Sequence, residues 1–318
     1  MGGACCLYKI RGAGIQKMKK ACLLAGITIF CWGLLAAVSK RLLAVLDTMQ
    51  VLAYTSLFAT AFLLAVNLAT GRLRLLKRLS ARALAQMVGT GLLGVYLYRM
   101  LLFLGISRLP AQTAFVLNYL WPAFTILFGA LLLKETMTAA KLAAVALSAL
   151  GVLVNTAQGS LKNIFVNGDT VGMLCCVGAA LLYGLYAVLN KKEGCDKFEG
   201  MLLAYLASTV CAFGFLGASG RAPVLPGGAE LAALAFVGVV CNALPYLTWA
   251  LALDRGDTAI LSNLAYLTPF VSLGATHVLL GEPVTVYAFA GLALITAGIA
   301  VQIAGEEHLL KKQRSRAK

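Results

Sequence analysis

Arg99 is the only Lys or Arg well inside an apolar stretch of this chain, and no Asp or Glu lies inside any such stretch to pair with it. A cation at the centre of a bilayer costs roughly 2.5 to 3.5 kcal/mol on insertion scales. Its retention points to recognition chemistry, a guanidinium presented to a ligand carboxylate. The structural alternatives are a stem snorkelling toward the outer surface and a head bonded to freed backbone carbonyls. Further along, Asn118-Tyr119-Leu120-Trp121-Pro122 sets an amide and two rings beside a proline. A proline in a helix interior removes the bond to the carbonyl four residues back, here that of Asn118. At membrane depth such a break is tolerated only where it faces protein or a water-filled cavity. The device recurs as Ala265-Tyr266-Leu267-Thr268-Pro269, so Pro122 and Pro269 are candidate hinges. Trp32, Tyr119, Trp121, Tyr183 and Tyr266 all stand near mid-depth, away from the interfaces where Trp and Tyr serve as anchors. Such rings stack on planar or cationic ligands, or simply pack helices. Trp249, near the end of its stretch, reads instead as an interfacial anchor.

Enzyme chemistry finds little to work with. It needs convergent acids, bases, nucleophiles or metal ligands, and the apolar stretches offer Arg99 and His277. The nine cysteines show no metal-site spacing and read as small apolar residues, so no metal or other cofactor is expected. Gly89, Gly91 and Gly94 spell Gly-x-Gly-x-x-Gly, but a dinucleotide site wants an acid about 20 residues on. No acidic residue occurs between Asp47 and Glu135. These glycines read as close helix packing, and no phosphate loop exists to draw on ATP. Asn118, Asn242 and Asn263 are each open to interhelical bonding or to a ligand, and Asn118 alone stands beside a break. Glu135 and Glu282 sit where one stretch ends and the next begins, which suits a carboxylate at a helix start better than a proton carrier.

The elements that must position these groups are membrane helices. The chain is 61% hydrophobic and 12% charged, with mean hydropathy +0.87, where soluble domains carry roughly 25% charged residues. Runs long enough to cross roughly 30 Å of hydrocarbon fill nearly the whole length. They cover about 21 to 39, 49 to 69, 83 to 105, 110 to 133, 139 to 156, 170 to 190, 199 to 218, 230 to 252, 258 to 280 and 284 to 304. A net charge of +15 would imply nucleic acid in a soluble protein, but its distribution answers otherwise. Of the 27 Lys and Arg, all but Arg99 and the five at Lys40, Arg41, Arg108, Lys162 and Arg221 fall on one side. By the positive-inside rule that side is the cytoplasm, which puts both termini there and makes the number of spans even. Nucleic-acid binding is discounted. Met18-Lys19-Lys20 would also make a natural start, so the start is open between Met1 and Met18.

An internal repeat organises the whole. Adding 147 carries Arg108 to Arg255, Tyr119 to Tyr266, Pro122 to Pro269, Glu135 to Glu282 and Gly151 to Gly298 without a gap. Adding 151 carries Trp32-Gly33-Leu34 to Tyr183-Gly184-Leu185 and Lys40 to Lys191. Ten spans are then five plus five, and because five is odd the second copy crosses in the opposite sense. The expected fold is an all-α membrane protein, ten transmembrane helices as two inverted five-helix repeats. A cytoplasmic tail 1–20 precedes repeats at 21–156 and 170–304, joined by an external linker 157–169 and followed by a basic cytoplasmic tail 305–318. Inverted repeats place a substrate site near the midplane where the halves meet.

The Trp32-Gly33 span, the Asn118-to-Pro122 run, the Leu133-Lys134-Glu135 and Leu280-Gly281-Glu282 span ends and the duplication resemble the EamA family of the drug/metabolite transporter superfamily. The Asn-Tyr-Leu-Trp-Pro form is similar to the aromatic amino-acid exporters of the YddG type. The resemblance covers roughly residues 18 to 305 and implies a central cavity lined by spans one, three, four, six, eight and nine. Carried onto this chain, it points to Trp32, Tyr98, Asn118, Tyr119, Trp121 and Tyr183. The chain departs in having Tyr183 where those exporters lead one to expect Trp, and in the charged Arg99 beside Tyr98. The expected function is a secondary transporter of small organic metabolites, an aromatic or hydrophobic amino-acid exporter or facilitator first. A multidrug or nucleotide-sugar carrier is the alternative, with a non-transporting scaffold or enzyme behind it. Its partners would be a small-molecule substrate and the lipid bilayer, in a bacterial inner membrane, as a monomer or homodimer.

Overall fold

The computed structural model describes residues 2–76, 79–134, 136–157, 159, 169–193, 197–220, 225–253, 264 and 267–316; the side chains of 2–17, 75–76, 156, 191–193, 197, 250, 253 and 306–316 lie outside that description. Ten apolar helices follow one another. They are α1 (Gly2–Leu43), α2 (Thr48–Ala69), α3 (Ala81–Gly91, Leu92–Leu97 and Tyr98–Arg108 in succession), α4 (Ala111–Asn118, then Trp121–Leu132) and α5 (Ala139–Ala157). Then come α6 (Thr170–Glu193), α7 (Lys197–Ala218), α8 (Gly228–Ala235, Phe236–Ala243 and Leu244–Leu253 in succession), α9 (Thr268–Leu280) and α10 (Val286–Arg316). Among the described residues, eight of these hold a segment long and apolar enough to cross a membrane, while the apolar parts of α5 and α9 are shorter. At 1.5 Å per residue the 13 residues of α9 reach about 20 Å. The expected ninth span began near 258, and residues 254–263 and 265–266 lie outside the description.

Local chemistry explains the boundaries. Asp47 accepts from the backbone N–H of Met49 and Ser80 from that of Ala83, each ahead of a helix start. Gly281 closes α9 at φ 70°, a left-handed turn that glycine adopts freely. The two prolines act differently from the expectation of a proline in a helix interior. Tyr119 and Leu120 form a turn between two helical pieces, and Pro122 lies in the first turn of the second piece. Pro269 likewise lies in the first turn of α9. Proline is tolerated there because its missing N–H would have no intrahelical partner. The sequence also gave no warning of π-helical turns, which occupy Leu92–Leu97 and Phe236–Ala243 in the middle of α3 and α8. Each sits at the corresponding place of its half.

The packing obeys an exchange of halves. α1 packs on α8 and α9, and α6 packs on α3 and α4; α2 meets α7, and α5 meets α10. Individual contacts obey it too. A Cβ on Gly33 would stand 2.5 Å from Cγ1 of Val271, and one on Gly184 would stand 2.7 Å from Cβ of Phe124. The offsets of 151 and 147 carry one pair into the other. Only glycine lets these backbones approach so closely, as expected where hydrocarbon supplies no hydrophobic drive between helices. Of the Gly-x-Gly-x-x-Gly run, Gly91 lies against Ala204 and Gly94 against Tyr186, whereas Gly89 touches nothing. Hydroxyl pairs stitch α2 to α7, Ser56 to Ser208 at 2.9 Å and Thr60 to Thr209 at 3.0 Å.

At the end of the bundle where α1, α3 and α9 stop and α4 starts, charged groups cap helix termini. Lys40 Nζ donates to the carbonyls of Ile106 (2.7 Å), Ser107 (3.2 Å) and Leu109 (2.6 Å), and Arg41 donates to that of Leu279. Both carboxylate oxygens of Glu282 accept from α4, from the N–H groups of Ala111 (2.8 Å) and Gln112 (3.0 Å). Glu282 therefore caps a helix of the other half, not the one that follows it in sequence. His277 Nδ1 lies 2.9 Å from the Glu282 carbonyl. Arg108 pairs with Asp169 at 2.8 Å, tying α3 to the start of α6. That hydrogen bond holds the Asp169 carboxyl below its usual range, helped by the N–H of Gly172.

Candidate functional site

Between the halves lies a cavity of about 580 Å³. Its wall takes side chains from α1, α3, α4, α6, α8 and α9, and also from α5 and α10, which the sequence did not lead one to expect. Trp32, Tyr98, Arg99, Asn118, Tyr119, Trp121 and Tyr183 are all on this wall, together with Pro122. Pro269 is buried but off the wall, and Tyr266 lies outside the described residues.

The rings form two groups. Tyr183 stands 5.0 Å from Tyr98 and 5.2 Å from Trp121, between ring centroids. Trp32 stands 5.9 Å from Tyr246 and 6.0 Å from Trp249. Edge-on and tilted ring pairs of this kind add about 0.5 to 1.5 kcal/mol beyond the area they bury. Trp249 was expected as an interfacial anchor; the structure instead seats it on the cavity wall against Trp32, because α8 continues to Leu253.

Arg99 is 4% exposed, which excludes a stem stretched to the surface. Its Nη2 donates to the hydroxyl of Tyr205 at 2.7 Å, and its guanidinium lies 5.4 Å from the centre of that ring. Tyr98, Tyr183, Tyr205 and Tyr246 surround it. Nη1 has no hydrogen-bond partner. Asn118 gives Nδ2 to the Tyr98 hydroxyl at 3.3 Å, and its Oδ1 is left unpartnered; so is Oγ1 of Thr268. Buried polar groups normally find partners, because an unmet one costs about 1 to 3 kcal/mol. Unpartnered atoms alone do not mark the site, since the amides of Asn155 and Asn242 are also unmet and lie off the wall.

Two cations line the cavity, Arg99 and Lys141, and among the described residues on its wall there is no carboxylate. Lys141 entered the sequence reading only as a charge setting topology, yet it is 9% exposed. Tyr246, Thr268 and Gln302 were also missed. Tyr246 had a signal: the 147 register, run back from Arg108, lays Arg99 on it. For Lys141 and Gln302 the sequence holds none, because both come from α5 and α10, whose packing against each other is a tertiary fact.

The chain matches the model of the EamA-like transporter family twice, over residues 19–157 and 170–303. It is 28% identical over 290 residues to an uncharacterized transporter of Archaeoglobus fulgidus, covering 90% of this chain and 99% of the relative. It is also 28% identical to a probable terminal-alkyne amino-acid exporter of Streptantibioticus cattleyicolor, covering 89% and 93%. With the aromatic amino acid exporter YddG of Ancylobacter novellus it shares 27% identity over 57% of this chain and 63% of that one. A solved structure described only as the crystal structure of a protein superposes with TM-score 0.65 at 22% identity, over 92% of this chain and 99% of its own. Two copies of one transporter domain, covering most of the chain and meeting around a closed-in cavity, make this a multi-pass membrane transporter, not an enzyme, and the chain belongs to the EamA-like transporter family.

Proposed function

We propose that this protein is a secondary transporter that exports or facilitates movement of amino acids with aromatic or other apolar side chains. One observation carries the reading: a cavity walled by Trp32, Trp121, Tyr119 and Tyr183 that holds two cations and no described carboxylate. Such a wall suits a planar or apolar side chain joined to an anionic head. The names borne by the Streptantibioticus and Ancylobacter relatives support it. Ten spans in two inverted halves, both termini in the cytoplasm of a bacterium, give the machinery for alternating access; the exchange of contacts between halves supports this. No carboxylate lines the described wall to carry a proton, so exchange or facilitated diffusion is the mode of transport.

Counterflow in reconstituted vesicles against a panel of amino acids and nucleotide sugars tests the reading. Exchange of phenylalanine, tryptophan or leucine is the expected result. Exchange of nucleotide sugars alone would move the protein to the runner-up, and collapse of transport on removing a pH gradient, with no counter-substrate present, would end the exchange mode.

A further inference from the structure

We propose that Arg99 and Asn118 divide between them the recognition of a zwitterion, Arg99 Nη1 taking the α-carboxylate and Asn118 Oδ1 the α-ammonium. The inference rests on the amino-acid reading above and assigns what that reading leaves open. Both residues line the cavity, Arg99 4% and Asn118 5% exposed, and each has one committed atom and one unmet atom. The committed atoms decide the roles. With Nη2 given to Tyr205, Arg99 keeps a charged donor; with Nδ2 given to Tyr98, Asn118 keeps an acceptor. A carboxylate has only acceptors and an ammonium only donors, so a zwitterion answers both at once. Lys141, the other cation on the wall, is already engaged within the protein.

The empty cavity carries the cost of two unmet groups in low dielectric. A ligand lacking the carboxylate leaves Nη1 unmet, and one lacking the ammonium leaves Oδ1 unmet. Sites built to bond a polar group reject the analogue that lacks it, far more strongly than apolar pockets reject a missing methylene. Tyr205 and Tyr98 act as positioning residues by fixing which atom each partner presents.

The test is competition against phenylalanine counterflow in vesicles by 3-phenylpropionate, which lacks the ammonium, and phenethylamine, which lacks the carboxylate. In the wild type each analogue competes roughly tenfold or more weakly than phenylalanine, the value of one hydrogen bond to a charged group. Arg99→Gln raises phenethylamine to parity with phenylalanine and leaves the penalty on phenylpropionate. Asn118→Leu does the reverse. Arg99→Lys, which keeps the charge, retains most of the discrimination against phenethylamine. Wild-type competition by both analogues as strong as phenylalanine overturns the assignment without any variant, as does a folded pair of variants with unchanged analogue preferences. If the wild type exchanges no amino acid at all, the reading beneath has failed, and the assignment falls with it.

Discussion

The capped end of the bundle and the centre of the cavity handle charge in opposite ways. At the capped end Lys40, Arg41 and Glu282 reach across to the termini of α3, α9 and α4, so that helix dipoles and orphan backbone groups are met. In the cavity Arg99 and Asn118 each keep one atom unmet while Tyr205 and Tyr98 hold the other. The first arrangement uses charge to hold helices together. The second leaves it available to a ligand, and a site so arranged costs stability. Charge in a membrane protein is thus informative through its partners more than through its depth.

The comparison breaks most visibly at Arg99. Arg99→Met is expected to lower counterflow of carboxylate-bearing amino acids at least tenfold while its detergent melting temperature stays level or rises. A lone buried cation is removed, at the smaller cost of one hydroxyl partner for Tyr205. A melting temperature that drops as far as transport does would make Arg99 a structural group like Lys40. Glu282→Ala should do the opposite, since it strips two α4 N–H groups of their acceptor. A loss of about 2 kcal/mol is expected, read as a lower melting temperature with unchanged order of preference among amino acids. The smallest effect belongs to the exposed Arg108–Asp169 pair. Its carboxyl is held below the usual range, so any stabilisation is present above the unfolded carboxylate value and lost as pH falls through the folded one. Melting curves of the wild type and Asp169→Asn should differ slightly at neutral pH and converge in acid.

How far the cavity could be read beforehand depended on local signals. Trp32, Asn118, Tyr119, Trp121 and Tyr183 stood out because rings and an amide at mid-depth are anomalous in hydrocarbon, and the wall gathers all five. Trp249 misled because its distance along the chain mimicked an interface. Glu282 was rightly placed at a helix start, but the wrong helix, since sequence adjacency says nothing about which terminus a side chain reaches. The π-helical turns at Leu92–Leu97 and Phe236–Ala243 left no trace either, as one extra residue in a turn does not disturb an apolar run.

What the residues alone determined is a membrane-embedded, duplicated, all-helical chain. Apolar runs are a one-dimensional property, and a register of 147 can be counted. The tertiary structure decided which groups meet: that α5 and α10 close the cavity, that Lys141 faces into it, and that Tyr205 of α7 holds Arg99 of α3. The reason is physical. Burial in lipid demands only that each helix satisfy its own backbone, whereas a binding site depends on side chains from separate helices, whose meeting is set by packing across the bundle.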